Sequence, residues 1–230
     1  MTVKAYFFDM GDTLIFDRGT TEIALELLYK LLMDIYPGIP IDKIREAWAK
    51  WNDIPITLQY VEKSGLAKAA VLLRRIGIMP KPTLVEEVFE AILESAVRGW
   101  MFEEDAVETL RYLKDEGYII GIISNTDFHE LVIRELKKVG LLCTIDVVVT
   151  SQQLGVKKPH PDIFNYASLL AGTKPHETVY VGNDPIADIQ GAKKVGWKAI
   201  HKVNEGCSPS PLADMTINKI IELRSIHSLL

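Results

Sequence analysis

Hydrophobic positions divide the chain into three consecutive parts. A short apolar run from Val3 to Phe8 opens the chain and predicts a buried strand of a parallel sheet. From residue 15 to about residue 103, apolar residues recur at helical spacing, with interruptions at Pro37-Gly38, Pro55 and Pro80. This second part is therefore predicted to be entirely helical.

The third part begins at Glu104 and alternates helical patterns with β-rich runs. Strands are predicted over Tyr118 to Ile123, Ile145 to Val149, Thr178 to Val181 and, last, Trp197 to His201. Such alternation is typical of βαβ units that build a parallel sheet. The prediction is an α/β protein with a Rossmann-like core domain, residues 1–14 and 104–230, and an inserted all-helical cap domain, residues 15–103. A helical cap beside a strand end is placed to exclude water from a site there.

Composition and charge argue against several classes of protein. With a net charge of -5 and no dense basic cluster, the chain is not expected to bind nucleic acid. Its two cysteines, Cys143 and Cys207, are too few for a disulfide framework and lack the spacing of a metal site. The sequence shows no signal-peptide pattern and no apolar run of membrane-spanning length. We therefore expect a cytoplasmic protein without membrane partners, either a monomer or a homodimer.

Polar residues follow the predicted strands where these strands end. They are Asp9, Asp12 and Thr13 after the first run, Ser124 and Asn125 after the second, Lys158 after the third, and Asn183, Asp184 and Asp188 after the fourth. Because the carboxyl ends of parallel strands share one edge of a sheet, these side chains are expected to converge there.

The chemistry of this set suits a phosphate held with a hard cation. Mg²⁺ prefers oxygen ligands, usually one or two carboxylates together with substrate phosphate and water. Lys158 would add a compact positive charge for the phosphate or the nucleophile. Ser124, Asn125 and nearby backbone N–H groups would hold phosphate oxygens. A carboxylate nucleophile that forms an aspartyl-phosphate divides hydrolysis into two easier steps.

These stretches resemble the four motifs of the haloacid dehalogenase-like superfamily, most of whose members are phosphohydrolases. The four stretches are Asp9-Met-Gly-Asp-Thr-Leu14, Ile122-Ile-Ser-Asn125, Gly155-Val-Lys-Lys-Pro-His-Pro-Asp-Ile-Phe164 and Val181-Gly-Asn-Asp-Pro-Ile-Ala-Asp-Ile-Gln-Gly-Ala192. Their order and spacing match over the whole chain, and the inserted helical part resembles the family's cap of the first type. Each motif alone is a weak signal, but four in order identify the family.

The resemblance implies a role for each matching residue. Asp9 would be the nucleophile and a magnesium ligand, and the backbone carbonyl of Gly11 would be a second ligand. Ser124 would bind the transferring phosphoryl group, with Asn125 as a neighbouring contact. Lys158 would steady the charge on Asp9 and on the phosphate, while the fourth motif would complete the metal site.

Two positions depart from the usual pattern of the family. Gly11 stands where most members have the aspartate that acts as general acid and base, and Asp12 stands one place later, where glycine is usual. Asp12 either takes over proton transfer or serves as a turn or helix-cap carboxylate. Asn183 replaces the first aspartate of the fourth motif. Its amide oxygen can ligate a metal but offsets less charge.

The neighbours of Asn183 are expected to supply the missing charge. Asp184 is the expected carboxylate ligand of the metal. Asp188 would act as a ligand through water or as a partner that keeps Lys158 charged.

The predicted function is that of a Mg²⁺-dependent phosphohydrolase that cleaves a small phosphorylated metabolite through an aspartyl-phosphate on Asp9. Two alternatives stay open: a 2-haloacid dehalogenase-type hydrolase, and a weakly active or inactive relative that serves as a binding protein. In the helical part, Trp48 and Trp51 either pack between helices or line a substrate pocket that faces the strand ends.

Overall fold

A single parallel sheet forms the centre of the molecule. The computed structural model describes residues 2–55 and 58–227. The strands of the sheet are β1 (Ala5–Phe8), β4 (Ile119–Ser124), β5 (Val147–Thr150), β6 (Thr178–Gly182), β7 (Lys198–Lys202) and β8 (Met215–Ile217). They lie in the order β5-β4-β1-β6-β7-β8, and every neighbouring pair is parallel. This arrangement confirms the predicted α/β class.

Helices cover both faces of the sheet, because alternate residues of the central strand point in opposite directions. Tyr6 and Phe8 of β1 pack in a buried cluster with residues of the flanking helices α5, α6 and α10. Phe7 packs on the other face with residues of α8 and with Trp197. These helices are α5 (Glu104–Asp115), α6 (His129–Lys138), α8 (Pro161–Ala171) and α10 (Leu223–Ile226). Two further short helices are α7 (Ser151–Leu154) and α9 (Gly191–Lys194).

The helical part follows the first strand and has an apolar cluster of its own. Its helices are α1 (Thr20–Ile35), α2 (Ile41–Ala49), α3 (Gly65–Arg75) and α4 (Pro82–Gly99). Leu28, Leu32, Leu72 and Val88 lie at the buried centre of this cluster. All four helices lie where the apolar periodicity predicts them. Within the described residues, no helix has the length and apolar character that a membrane crossing needs.

Two features of the sequence prediction are wrong. Residues 15–103 are not entirely helical, because β2 (Ile15–Asp17) and β3 (Trp100–Phe102) form an antiparallel pair where the chain enters and leaves the helical part. The strand that ends near residue 201 is not the last one, because β8 pairs with β7 at the edge of the sheet. All three strands have only three residues, which is too short to leave a periodicity.

Candidate active site

Asp9 directly follows β1, the strand that lies between β4 and β6 in the sheet. Its backbone N–H donates to the carbonyl of Val181 at 2.9 Å, and only 8% of the residue is exposed. The hydroxyl of Thr13 donates to Asp9 Oδ2 at 3.2 Å. Thr13 is fully buried and therefore supports the carboxylate from behind, away from the cavity.

Lys158 joins the first and fourth motifs. Its ammonium donates to Asp9 Oδ1 at 2.7 Å, to Asp188 Oδ1 at 2.7 Å and to the hydroxyl of Tyr180 at 2.8 Å. All three of its protons thus have acceptors, and Tyr180 in turn donates to the carbonyl of Ile123 at 3.1 Å. Lys158 does not directly follow a strand as predicted, because the short helix α7 separates it from β5.

Burial and charge set the protonation of this group of residues. Burial raises the pKa of Asp9 to about 6, although Lys158 opposes the shift. Burial also disfavours the charged form of Lys158, but the carboxylates of Asp188 and Asp9 outweigh it and raise the pKa of the ammonium. The raised pKa favours the charged form of Lys158, whose ammonium lies between the carboxyl groups of Asp9 and Asp188.

Ser124 ends β4, Asn125 follows it, and both line the same cavity. Asn125 pairs with the backbone of Lys158 in both directions: its Nδ2 donates to the lysine carbonyl at 3.1 Å, and its Oδ1 accepts from the lysine N–H at 2.8 Å. Ser124 is buried to 6% exposure and lines the cavity. The second motif thus also positions the loop that carries the lysine.

One small cavity brings nearly all the predicted residues together. Its volume is about 240 Å³, and the residues that line it are Asp9, Gly11, Asp12, Ser124, Asn125, Lys158, Asn183, Asp184, Ala187 and Asp188. Of the ten predicted site residues, only Thr13 lies behind the wall of this cavity. The expected convergence at the carboxyl edge of the sheet is observed.

Asp12 has an unusual backbone conformation. Its φ of 55° lies in the left-handed region, which costs roughly 1–3 kcal/mol for a residue other than glycine. Two donors hold its carbonyl: Lys202 Nζ at 3.1 Å and Asn204 Nδ2 at 3.0 Å. Its side chain is exposed and lines the cavity beside Asp9. The two donors come from the far end of the chain, and no pattern near Asp12 predicts them.

The carbonyl of Gly11, Asp9 Oδ2 and the side-chain amide of Asn183 lie together, while Lys158 binds the other carboxylate oxygen of Asp9. The amide of Asn183 can be placed in two orientations. In the first, Oδ1 faces the carbonyl of Gly11 at 3.1 Å and Asp9 Oδ2 at 3.3 Å; in the second, which satisfies the hydrogen bonds of the amide, its nitrogen donates to both. Ligands in an octahedral Mg²⁺ site lie roughly 3 Å apart, so the first orientation fits a cation among these oxygens. Among the described residues, no group of three or more His, Cys, Asp or Glu side chains is arranged to hold a metal. A cation here would therefore depend on carbonyl and amide oxygens as well as on Asp9.

The two aspartates of the fourth motif already have donors. Asp184 Oδ1 accepts from the N–H groups of Ile186 and Ala187 and so caps the π-helical segment Pro185–Gln190. Asp188 is buried to 1% exposure, with Oδ1 on Lys158 and Oδ2 on the backbone N–H of Asp184. Asp188 thus supports Lys158, which is one of its two predicted roles.

The tryptophans of the helical part fit one of their two interpretations. Trp48 and Trp51 stack with ring centroids 5.5 Å apart and line a second cavity of about 530 Å³, together with Arg45 and Asn52. Trp51 also packs parallel to Phe128, and both tryptophans contact the buried cluster of the helical part. They pack between helices, as one interpretation predicts, and the cavity that they line shares no residue with the cavity at the strand ends.

Comparison with known proteins gives one consistent family. Residues 8–202 match the model described as haloacid dehalogenase-like hydrolase. A glyceraldehyde 3-phosphate phosphatase from Methanocaldococcus jannaschii is 32% identical over 97% of this chain and 96% of its own length. A protein of the same name from Methanopyrus kandleri is 28% identical over 86% of this chain and 83% of its own.

Two solved structures are similar over nearly their full length. A HAD phosphatase from Thermococcus onnurineus has a TM-score of 0.73 and 27% identity, and covers 97% of both chains. A 2-haloacid dehalogenase from Pseudomonas syringae has a TM-score of 0.79 at 23% identity, and covers 98% of both chains. At that identity the second likeness shows the fold alone.

Proposed function

The chain belongs to the haloacid dehalogenase-like hydrolase family, and within this family we propose that it is a Mg²⁺-dependent phosphatase that acts on small phosphorylated metabolites. The arrangement around Asp9 carries the proposal. On one side of its carboxylate lies the ammonium of Lys158, and on the other lie the carbonyl of Gly11 and the amide of Asn183. A carboxylate between a fixed cation and a group of oxygens suits a phosphoryl group bound together with a hard metal ion.

The residues of the cavity divide the reaction into two steps. A carboxylate oxygen of Asp9 attacks phosphorus while the bond to the leaving oxygen breaks, which gives an aspartyl-phosphate and an alcohol. Water then attacks the same phosphorus, so that phosphate leaves and the Asp9 carboxylate is restored. Ser124, Asn125 and Lys158 hold the phosphoryl oxygens in both steps. Mg²⁺ held by Asp9, the Gly11 carbonyl and Asn183 would offset the negative charge of the phosphoryl group, with Asp184 at the rim.

We assign proton transfer to Asp12, because it is the carboxylate that lines the cavity without an assigned partner role at Lys158 or in a helix cap. Its acid form would protonate the leaving oxygen, and its carboxylate would then take a proton from the attacking water. Residues 15–103 would act as a cap over the cavity. The expected cytoplasmic location and the monomeric or homodimeric state accompany this proposal.

Phosphate release tests the proposal directly. Glyceraldehyde 3-phosphate is the first substrate to assay, because the relatives are named for it, beside a metabolite panel and an aryl phosphate. Wild-type turnover should require Mg²⁺, stop with chelator, and vanish in Asp9→Asn. Asp42→Asn is the matched control, because this carboxylate lies on α2 with 81% of its side chain exposed. Halide release from 2-haloacids without metal would favour the dehalogenase instead, and phosphate binding without turnover would favour the binding protein.

Asp12→Asn tests the proton-transfer role with a residue that tolerates the left-handed backbone. General acid catalysis typically contributes about 10²–10⁴-fold, so kcat should fall by this order on alkyl phosphates. Aryl phosphates have good leaving groups, so the burst of aryl alcohol that reports the first step should slow far less. The second step is common to all substrates, so wild-type rates in both steps would remove the proton-transfer role from Asp12.

A further inference from the structure

A buried ion pair joins the helical part to the loop that follows β4. Lys68 of α3 lies 2.7 Å and 2.6 Å from the two carboxylate oxygens of Asp127. Only 5% of the lysine side chain and 15% of the aspartate side chain are exposed. The remaining contacts complete the pair: Lys68 donates to Asn52 Oδ1 at 2.8 Å, and Trp51 Nε1 donates to Asp127 Oδ2 at 3.1 Å.

Asp127 lies three residues after Ser124, in the segment 124–128 that we call the phosphate loop. This loop touches the helical part directly at Asp127 and Phe128. Phe128 is buried within the apolar cluster of the helical part. A Cβ added to Gly65, at the start of α3, would lie 3.2 Å from the carbonyl of Asp127. The helical part therefore fixes one side of the loop, while its other side faces the cavity.

A second set of hydrogen bonds, which runs through Ser151, also links the phosphate loop to the helical part. The N–H of Thr126 donates to Ser151 Oγ at 2.9 Å, and Ser151 donates to Glu62 Oε2 of the helical part at 2.6 Å. Glu62 N–H in turn donates to the carbonyl of Gly155 at 3.0 Å, and Lys157 N–H donates to the carbonyl of Tyr60 at 2.9 Å. Contacts from the inserted segment thus reach both loops that carry the phosphate-binding side chains.

Because the Lys68–Asp127 pair is buried, its role is better explained by positioning of the phosphate loop than by a gain in stability. Removing two charges from water is expensive, and well-packed apolar residues often stabilise a protein as much as a buried ion pair. An exposed pair on the same boundary provides the comparison: Arg134 of α6 binds Glu90 of α4 at 2.7 Å, with side-chain exposures of 33% and 53%. That pair also joins the helical part to the core, but it lies outside the phosphate loop.

We propose that Lys68 is a positioning residue which, through Asp127, holds the phosphate loop in the geometry that binds the phosphoryl group. Docking of the helical part and binding of phosphate then favour each other, because each orders the same loop. The inference rests on the proposed phosphatase function and adds to it a coupling between the helical part and the site. Lys68 itself does not touch the substrate.

Three variants test the coupling: Lys68→Met, Asp127→Asn and the control Arg134→Met. Binding of inorganic phosphate in the presence of Mg²⁺ is measured by calorimetry well below each variant's unfolding temperature. Couplings of this kind are modest, so Lys68→Met should weaken phosphate binding roughly 3- to 30-fold. The same variant should lower kcat/KM by a similar factor. Arg134→Met should stay within twofold of the wild type in both.

Amide hydrogen exchange tests the positioning role of Lys68 without relying on phosphatase activity. Amides of residues 124–128 should exchange faster in Lys68→Met than in Arg134→Met, whether or not the protein hydrolyses phosphate esters. The double variant Lys68→Met/Asp127→Asn should lose no more phosphate affinity than the more affected single variant, since both substitutions break one interaction. Unchanged exchange in the phosphate loop, or equal losses in Lys68→Met and Arg134→Met, would overturn the positioning role. A wild type that turns over no phosphate ester would instead reject the proposed function.

Discussion

At the residue scale, the neutral amide of Asn183 decides the charge of the proposed metal site. The Gly11 carbonyl and the Asn183 amide are neutral, so of these three grouped ligands Asp9 alone offsets the charge of a divalent cation. Asn183→Asp should therefore lower the Mg²⁺ concentration for half-maximal phosphatase activity, on the order of tenfold. Asn183→Leu should raise it. Magnesium titrations of initial rate and of calorimetric binding check both variants, and an unchanged requirement in Asn183→Asp would show that this side chain is not a ligand.

The burial of Glu135 predicts that the stability of the protein depends on pH. Its side chain on α6 is fully buried, Oε2 has no hydrogen-bond partner among the residues that the structure describes, and Oε1 lies 3.4 Å from Lys138 Nζ. Burial raises the pKa of Glu135 above the ordinary 4.5, and Lys138 only partly opposes the shift. The folded state therefore holds this proton more tightly than the unfolded state does. The favourable contribution is complete below pH 4.5 and is lost as the pH rises through the raised pKa.

Glu135→Gln removes this titration while it keeps the shape of the side chain. Relative to the wild type, the variant should gain unfolding free energy as the pH rises above 4.5, up to about 1–3 kcal/mol for a buried unpaired group. Urea unfolding at a series of pH values measures the difference. A difference that stays constant with pH would mean that the carboxyl does not change its protonation on unfolding.

At the scale of elements, the two connections to the helical part meet at Gly99 and Thr20. A Cβ on Gly99 would lie 2.7 Å from Thr20 Cα and 2.8 Å from its backbone nitrogen, closer than packed atoms allow. Side-chain rotation cannot relieve a contact with backbone, so Gly99→Ala should destabilise the protein by about 1–3 kcal/mol. Gly11→Ala is the matched control, since its Cβ would meet nothing nearer than Trp100 Cη2 at 3.9 Å. Equal urea midpoints for the two variants would contradict the predicted clash.

Long elements with a repeated pattern were predictable, and short ones were not. The apolar face of α4 spans 18 residues and predicts the helix at once, whereas β2, β3 and β8 have three residues each. A three-residue strand contains little more than one period of alternation, so only its pairing partner identifies it. The pairing of β2 with β3 joins positions about 85 residues apart, which no local pattern records.

In the candidate site too, some residues were predictable from the sequence and others were not. Motif order placed Asp9, Ser124, Lys158 and Asp188 together, because parallel strands bring their carboxyl ends to one edge. The sequence gives no sign of the supporting groups: Tyr180 fits the pattern of an ordinary buried strand residue, yet its hydroxyl accepts a hydrogen bond from Lys158. Such contacts depend on side-chain geometry between distant elements.

At the scale of the whole molecule, contacts away from the two connecting strands join the helical part to the core. Lys138 of α6 donates to the carbonyl of Val97 in α4 at 2.7 Å. Phe128 and Leu131 belong to the core in sequence but are buried in the apolar cluster of the helical part. An apolar cluster that both parts share ties their stabilities together, because neither part can unfold without exposing it.

We therefore expect the protein to unfold as one cooperative unit in spite of its two-part architecture. The tryptophans provide separate reporters, because Trp48 and Trp51 contact the helical cluster while Trp197 packs against Phe7 in the core. In Trp197→Phe, fluorescence follows the helical part and its surroundings. In the triple variant Trp48→Phe/Trp51→Phe/Trp100→Phe, fluorescence follows the core alone. Within each variant, the urea midpoint by fluorescence should coincide with the midpoint by far-UV circular dichroism. If the helical part lost its structure at a lower urea concentration than the core, the shared cluster would not couple the two parts, and residues 15–103 would be an independent folding unit.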